Sequence, residues 1–76
     1  MSDARPLSEA EVLEIARRYA DERGWTWREP VNVRPVRHEG AAAFRVDTHV
    51  GFRGVNARIV VRAADGSVLD AGYLPR

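Results

Sequence analysis

The chain has 76 residues, 45% hydrophobic and 30% charged, with a formal net charge of +1 and no cysteine. That length allows one domain with a small core. The missing cysteine removes disulfides, thiolate metal sites and a Cys nucleophile, and the apolar content is too high for a disordered chain. No apolar run approaches the roughly 20 residues that cross a bilayer, and Met1 to Pro6 holds no apolar leader stretch, so the expected setting is the cytoplasm.

Residues 1–6 read as a short polar tail and 7–76 as a single domain. The domain opens on a helix-start signature, Leu7-Ser8-Glu9-Ala10-Glu11. Ser8 is placed to accept the Glu11 amide while the Glu11 carboxylate reaches back to the Ser8 amide, and Leu7 is placed to staple onto Val12. Val12, Ile15, Ala16 and Tyr19 then recur at helical spacing, widened by Leu13 and Ala20. Glu14, Arg17, Arg18, Asp21 and Glu22 form the polar face, with Glu14 and Arg18 at pairing distance. Gly24 supplies the left-handed residue that stops a helix, which predicts α-helix from about Glu9 to Arg23.

Beyond Gly24 the period drops to two. Val31 to Val36 alternates and carries Pro35 after Pro30; two missing backbone donors make it an edge strand. His38-Glu39-Gly40 turns the chain, with His38 expected as a solvated loop residue. Ala43 to Val50 follows, with Phe44, Val46, Thr48 and Val50 on one face and Arg45, Asp47 and His49 on the other. Gly51 to Gly54 forms the next turn, and Val55 to Ala63 alternates again. Across this turn, parity sets Phe44 opposite Val61, Val46 opposite Ile59 and Asp47 opposite Arg58. For the last hairpin, a two-residue Asp65-Gly66 turn would pair Val61 with Asp70 and put a charge on the core face. A type I Ala64-Asp65-Gly66 turn plus a bulge, with Gly66 left-handed, instead sets Val61 opposite Leu69, Ile59 opposite Ala71 and Ala57 opposite Tyr73, so the apolar side chains share one face.

The expected fold is therefore α+β: one N-terminal helix on a four-stranded antiparallel meander, α-β-β-β-β. The helix covers Val31, Val33, Phe44, Val46, Ile59, Val61, Leu69 and Tyr73. The other face stays open to water or a partner.

That open face collects the candidate site residues Arg45, Asp47, His49, Arg58 and Arg62. Asp47 and His49 at i,i+2 are the right types for an acid–base pair or part of a metal site. No third ligand stands at a convincing spacing, and an open face offers no pocket or nucleophile, so neither catalysis nor a cofactor is expected. The simpler reading is a solvated face with an Asp47–Arg58 cross-strand pair. Trp25 and Trp27 point to one side of an extended segment and either cap the core or leave one ring exposed as an interface anchor. Phe52, on a hairpin tip between glycines, either folds back or meets a partner.

Every base is arginine, yet twelve bases meet eleven acids and the pI is 8.4, short of the value above about 9 usual for nucleic-acid domains. The strand centres of the open face also lack an aromatic for base stacking.

The capped helix and the closing run from Ala57 to Leu69, with its Ala63-Ala64-Asp65-Gly66-Ser67-Val68-Leu69 hairpin, resemble cystatin-like α+β domains. Two families stand out: PepSY-type domains, associated with peptidase propeptides and inhibition, and small bacterial immunity proteins with a nuclear-transport-factor-like fold. The resemblance implies an inhibitor- or immunity-like domain acting on a protein partner. Beside that reading stand a homodimer formed through the edge carrying Leu69 to Tyr73 and, more remotely, a single-stranded nucleic-acid binder using the sheet arginines.

Overall fold

The computed structural model describes residues 7–75; the polar tail expected at 1–6 and Arg76 lie outside them. The elements are α1 (Glu9–Glu22), β1 (Asn32–His38), β2 (Ala41–Asp47), β3 (Asn56–Arg62) and β4 (Val68–Leu74), and the sheet order is β1-β2-β3-β4, all antiparallel. The helix lies on one face of this sheet against β2 and β3.

Both helix ends close as the residues demand. Ser8 Oγ accepts the Glu11 amide at 3.2 Å while Glu11 Oε1 accepts the Ser8 amide at 2.8 Å, completing the capping box. At the other end Gly24 sits at φ +71°, the Trp25 amide donates to Ala20 O at 2.9 Å, and the Gly24 amide donates to Asp21 O at 3.1 Å. This is a Schellman closure, and it places Trp25 beside the last turn. Glu14 and Arg18 meet at 3.8 Å on the exposed face.

The core is Val12, Ala16 and Ala20 of α1 against Val46, Ile59 and Val61 of the sheet, all fully buried. Leu7, Ile15, Tyr19, Trp25, Trp27, Val33, Phe44, Val68 and Ala71 close around it. The expected register across β2 and β3 holds: Phe44–Val61, Val46–Ile59 and Asp47–Arg58. The β1–β2 turn is tighter than expected. His38 is the last residue of β1, paired with Ala41 and half-buried, and Glu39 and Gly40 alone turn the chain with φ of +49° and +84°. Pro30 precedes β1, so Pro35 is the one proline inside the strand.

The last hairpin corrects the expected pairing. Ile59–Ala71 and Ala57–Tyr73 hold, but Val61 pairs with Val68 and the register shifts between Val60 and Val61. The loop is one residue longer than expected: the Arg62 amide donates to Ser67 O at 2.7 Å and the Gly66 amide to Arg62 O at 2.9 Å. A bulge then absorbs Leu69, so Val68 rather than Leu69 packs against the core. Burial still governs the result, because the bulge restores parity for every inward side chain beyond it.

Asp65 organises this turn. Its Oδ1 accepts the Ser67 amide at 3.0 Å and the Ser67 hydroxyl at 2.8 Å, with Arg62 at 3.6 Å. The Ser67 amide, then its hydroxyl, then Arg62 hold the Asp65 carboxyl below its ordinary value of 3.8. A depressed folded-state value means that the stabilisation is present above 3.8 and is lost as the pH falls through the lower folded value. Acid titration followed by circular dichroism should therefore show the wild type losing stability relative to Asp65→Asn in that window, and the two curves running parallel at neutral pH.

Candidate functional site

Register and pleat place Asn32, Arg34, Ala43, Arg45, Asp47, Arg58, Val60, Arg62, Asp70 and Gly72 on the face away from the helix. Asp47 is its centre. Arg45 Nε donates to Asp47 Oδ2 at 3.0 Å and Arg58 Nε donates to Asp47 Oδ1 at 3.1 Å. One carboxylate thus joins a same-strand arginine to a cross-strand one, with its side chain only 20% exposed. Arg62 turns aside to Asp65. Arg34 lies directly opposite Arg45 and forms no ion pair with any described residue. Like charges facing each other across strands are unfavourable, and Asp47 relieves this by holding Arg45.

The face is less ionic than its sequence suggests. Ala43 and Val60, at its middle, are 3% and 5% exposed. Their same-face neighbours include Arg45, Arg58 and Arg62, long side chains whose aliphatic stems are suited to cover them. An open groove of about 710 Å³ runs across the face between Asn32, Arg34, Arg45, Asp47, Arg58 and Asp70, and it reaches Val50 and Leu74.

His49 does not continue the outer-face row of Arg45 and Asp47, which corrects its expected placement there. β2 ends at Asp47, and His49 takes the left-handed conformation, φ +54°, so the strand alternation stops before it. Thr48 remains inward, 1% exposed, with its hydroxyl accepting the Ala57 amide at 2.9 Å. The His49 and Val50 amides donate to the Arg28 and Pro30 carbonyls at 2.8 and 3.0 Å, tying the loop to the segment before β1. His49 Nδ1 lies 2.9 Å from Gly54 O, so Nδ1 carries a proton, and the ring stacks on Phe52 at 4.5 Å and 14°.

Phe52 is therefore presented, not folded back: it is 59% exposed on a loop built to hold it. Val50 and Leu74, exposed by 41% and 58%, stand at the same end of the sheet, since Leu74 pairs with Asn56 at the loop's exit. Gly51, Gly54 and the β-branched Val55 (φ +57°) also have positive φ. For valine this is a strained conformation, costing about 1–3 kcal/mol. Asn56 holds the loop against it, its side-chain amide donating to the carbonyls of Thr48, His49 and Phe52 at 3.1, 3.0 and 3.2 Å. Sequence reasoning passed over Asn56, although an Asn at the exit of a Gly-x-x-Gly loop is a residue type that bonds nearby backbone. Asn56→Asp keeps the size but removes the donors, so it should cost about 1–3 kcal/mol. It should also speed amide exchange across 49–55 while leaving the β2–β3 ladder protected.

Trp25 is half-buried between two rings, edge-on to Tyr19 at 5.7 Å and stacked on Tyr73 at 5.4 Å. Trp27 is also half-buried, with Arg17 5.9 Å from its ring. Both close the core where helix passes into sheet. Among the described residues no group of three or more His, Asp or Glu side chains converges on a point where a metal could sit. No helix among the described residues is long and apolar enough to cross a membrane. No protein-family model, curated protein or solved structure matches the chain.

Proposed function

We propose that the chain is a cytoplasmic, non-catalytic protein-binding domain that docks its partner on the open sheet face and the Phe52 tip. The observation that carries this reading is the pre-paired Arg45–Asp47–Arg58 cluster on the open face, with an exposed, stacked aromatic on the loop that follows β2. Arginines already oriented by a carboxylate lose little side-chain freedom on binding, and arginine and exposed aromatic side chains are the usual residues of interface hot spots. Arg34, which forms no ion pair with a described residue, favours an acidic partner surface. The resemblance to PepSY-type and immunity domains adds an inhibitor-like role toward that partner. Asp47 and Asp70 on the same face, with no aromatic among the strand centres, speak for protein over nucleic acid.

Affinity capture from cytoplasmic extract of the native host tests this, with the wild type compared to Phe52→Ala and Arg58→Ala. A partner recovered stoichiometrically by the wild type, and about tenfold or more weaker with either variant, supports the proposal. Recovery of nothing but the chain itself overturns it. So does a partner held equally by both variants, or oligonucleotide binding that persists near physiological salt.

A further inference from the structure

The register decides where each backbone group of the sheet points. The Thr48 amide donates to Ala57 O and the Ala63 amide to Ala42 O, both at 3.0 Å. Ala57, Ile59 and Val61 therefore turn their backbone toward β2, while Asn56, Arg58 and Val60 turn theirs toward β4. Their β4 partners Leu74, Gly72 and Asp70 point back at β3, which leaves the amides and carbonyls of Ala71 and Tyr73 directed off the sheet edge. The same count on β1 turns Val33, Pro35 and Arg37 outward. Proline has no amide hydrogen, so Pro35 closes that edge to another strand at its middle. β4 contains no proline, lysine or arginine.

Nothing among the described residues requires glycine at position 72. Its φ lies outside the left-handed region, a Cβ there would meet nothing within 4 Å, and the β3–β4 bulge lies at Val60/Val61. Glycine inside a strand weakens it; apart from bulges and bends, such a residue marks close approach of another backbone or a ligand.

We infer that β4 is a pairing edge for a second copy of this chain, antiparallel and two-fold, centred on Gly72. The straight run beyond the bulge is Asp70 to Leu74, and Gly72 is its midpoint, so this register uses the whole run and none of the bulge. Ala71 stands opposite Tyr73 of the second copy. Because both direct their backbone outward, each such pair, formed twice by symmetry, exchanges two hydrogen bonds. Gly72 meets its own copy at the non-hydrogen-bonded position, where Cα atoms approach to about 4.5 Å. The small Ala71 sits beside the large Tyr73, and Asp70 beside Leu74. Arg58 and its copy, three strand spacings apart at roughly 14 Å, lie beyond the Debye length of about 8 Å. A foreign strand would have to supply this complementarity; β4 has it with itself. Asp70 Oδ1 accepts the Ala71 amide at 3.0 Å in the single chain, an exposed contact between neighbours that yields to the second copy's carbonyl. The contact leaves the arginine face free, so it stands or falls separately from partner docking.

Sedimentation of the full chain from micromolar to near-millimolar concentration tests the inference, together with amide exchange at both extremes. A species of twice the 8.5 kDa chain mass should grow with concentration. The Ala71 and Tyr73 amides should gain protection with it, while those of Val33 and Arg37 do not change. Ala71→Pro removes an outward amide and no ladder bond within the chain, so it should weaken association at least about tenfold while circular dichroism stays native. A monomer at every concentration overturns the inference. Association that a folded Ala71→Pro leaves unchanged does so too, as does concentration-dependent protection at Val33 and Arg37 in place of Ala71 and Tyr73.

Discussion

Ile59→Ala is expected to remove about 3–4 kcal/mol of stability, the middle of the range for deleting a buried aliphatic side chain. Ile59 is fully buried at the centre of the sheet, between Val46 on β2 and Ala71 on β4, beneath the helix residues of the core. The cost is high because the surroundings cannot close over the gap. Ala16, Ala57 and Ala71 are already small, while Val46 and Val61 are stiff at χ1 and held by ladders on both sides. A domain of this length has about 4–11 kcal/mol in all, so the variant keeps a fraction of the native stability. Urea unfolding reads this directly. With a slope near 1 kcal/mol/M for so small a chain, the midpoint should fall by about 3 M. A fall below about 1 M would mean that the helix settles onto the sheet and that the core is softer than its burial indicates.

Gly66→Val is expected to cost about 2–4 kcal/mol, from two separable causes. Gly66 sits at φ +81°, where a side chain is strained in any surroundings. A Cβ there would also lie 2.9 Å from Ile15 Cδ1 and 3.3 Å from Leu7 Cδ1, so the tips of both side chains would have to shift, and the branches of valine add to the crowding. The Leu7 amide donates to Ala63 O at 2.9 Å, which ties the helix entry to this same hairpin and limits how far it can yield. Gly40 separates the two causes: its φ is +84°, but nothing lies within 4 Å of a Cβ. Gly40→Ala should therefore show the backbone strain alone, about 1–2 kcal/mol, and Gly66→Ala should exceed it by the packing cost. Equal losses in chemical denaturation would show that Ile15 and Leu7 simply step aside.

Much of the molecule was legible in the residues because local rules and burial agreed there. The helix start at Ser8 and Glu11, the stop at Gly24 and the stripe through Val12, Ala16 and Ala20 are short-range signals. The pairing of Val46 with Ile59 and of Asp47 with Arg58 followed from parity, since a one-residue slip would expose every inward side chain. Where two local solutions satisfied the same parity, the residues did not choose. A four-residue loop plus a bulge at Leu69 brings Ile59–Ala71 and Ala57–Tyr73 into the same pairing as the shorter turn expected from the residues.

The candidate site divides along the same line. The amino-acid pattern by itself determined which side chains share the outer face, because strand alternation assigns Arg45, Asp47, Arg58 and Arg62 to it without reference to distant contacts. It also determined that Pro35 belongs to an edge. The tertiary structure alone decided that His49 leaves that face, since Asn56 and the Arg28 and Pro30 carbonyls pull the chain into a left-handed turn. It alone decided that Phe52 stands out on a stacked tip, that Trp25 is enclosed between Tyr19 and Tyr73, and that Gly72 lies on the β4 edge of the sheet. Periodicity is a property of neighbours in sequence, whereas exposure depends on what arrives from elsewhere in the chain.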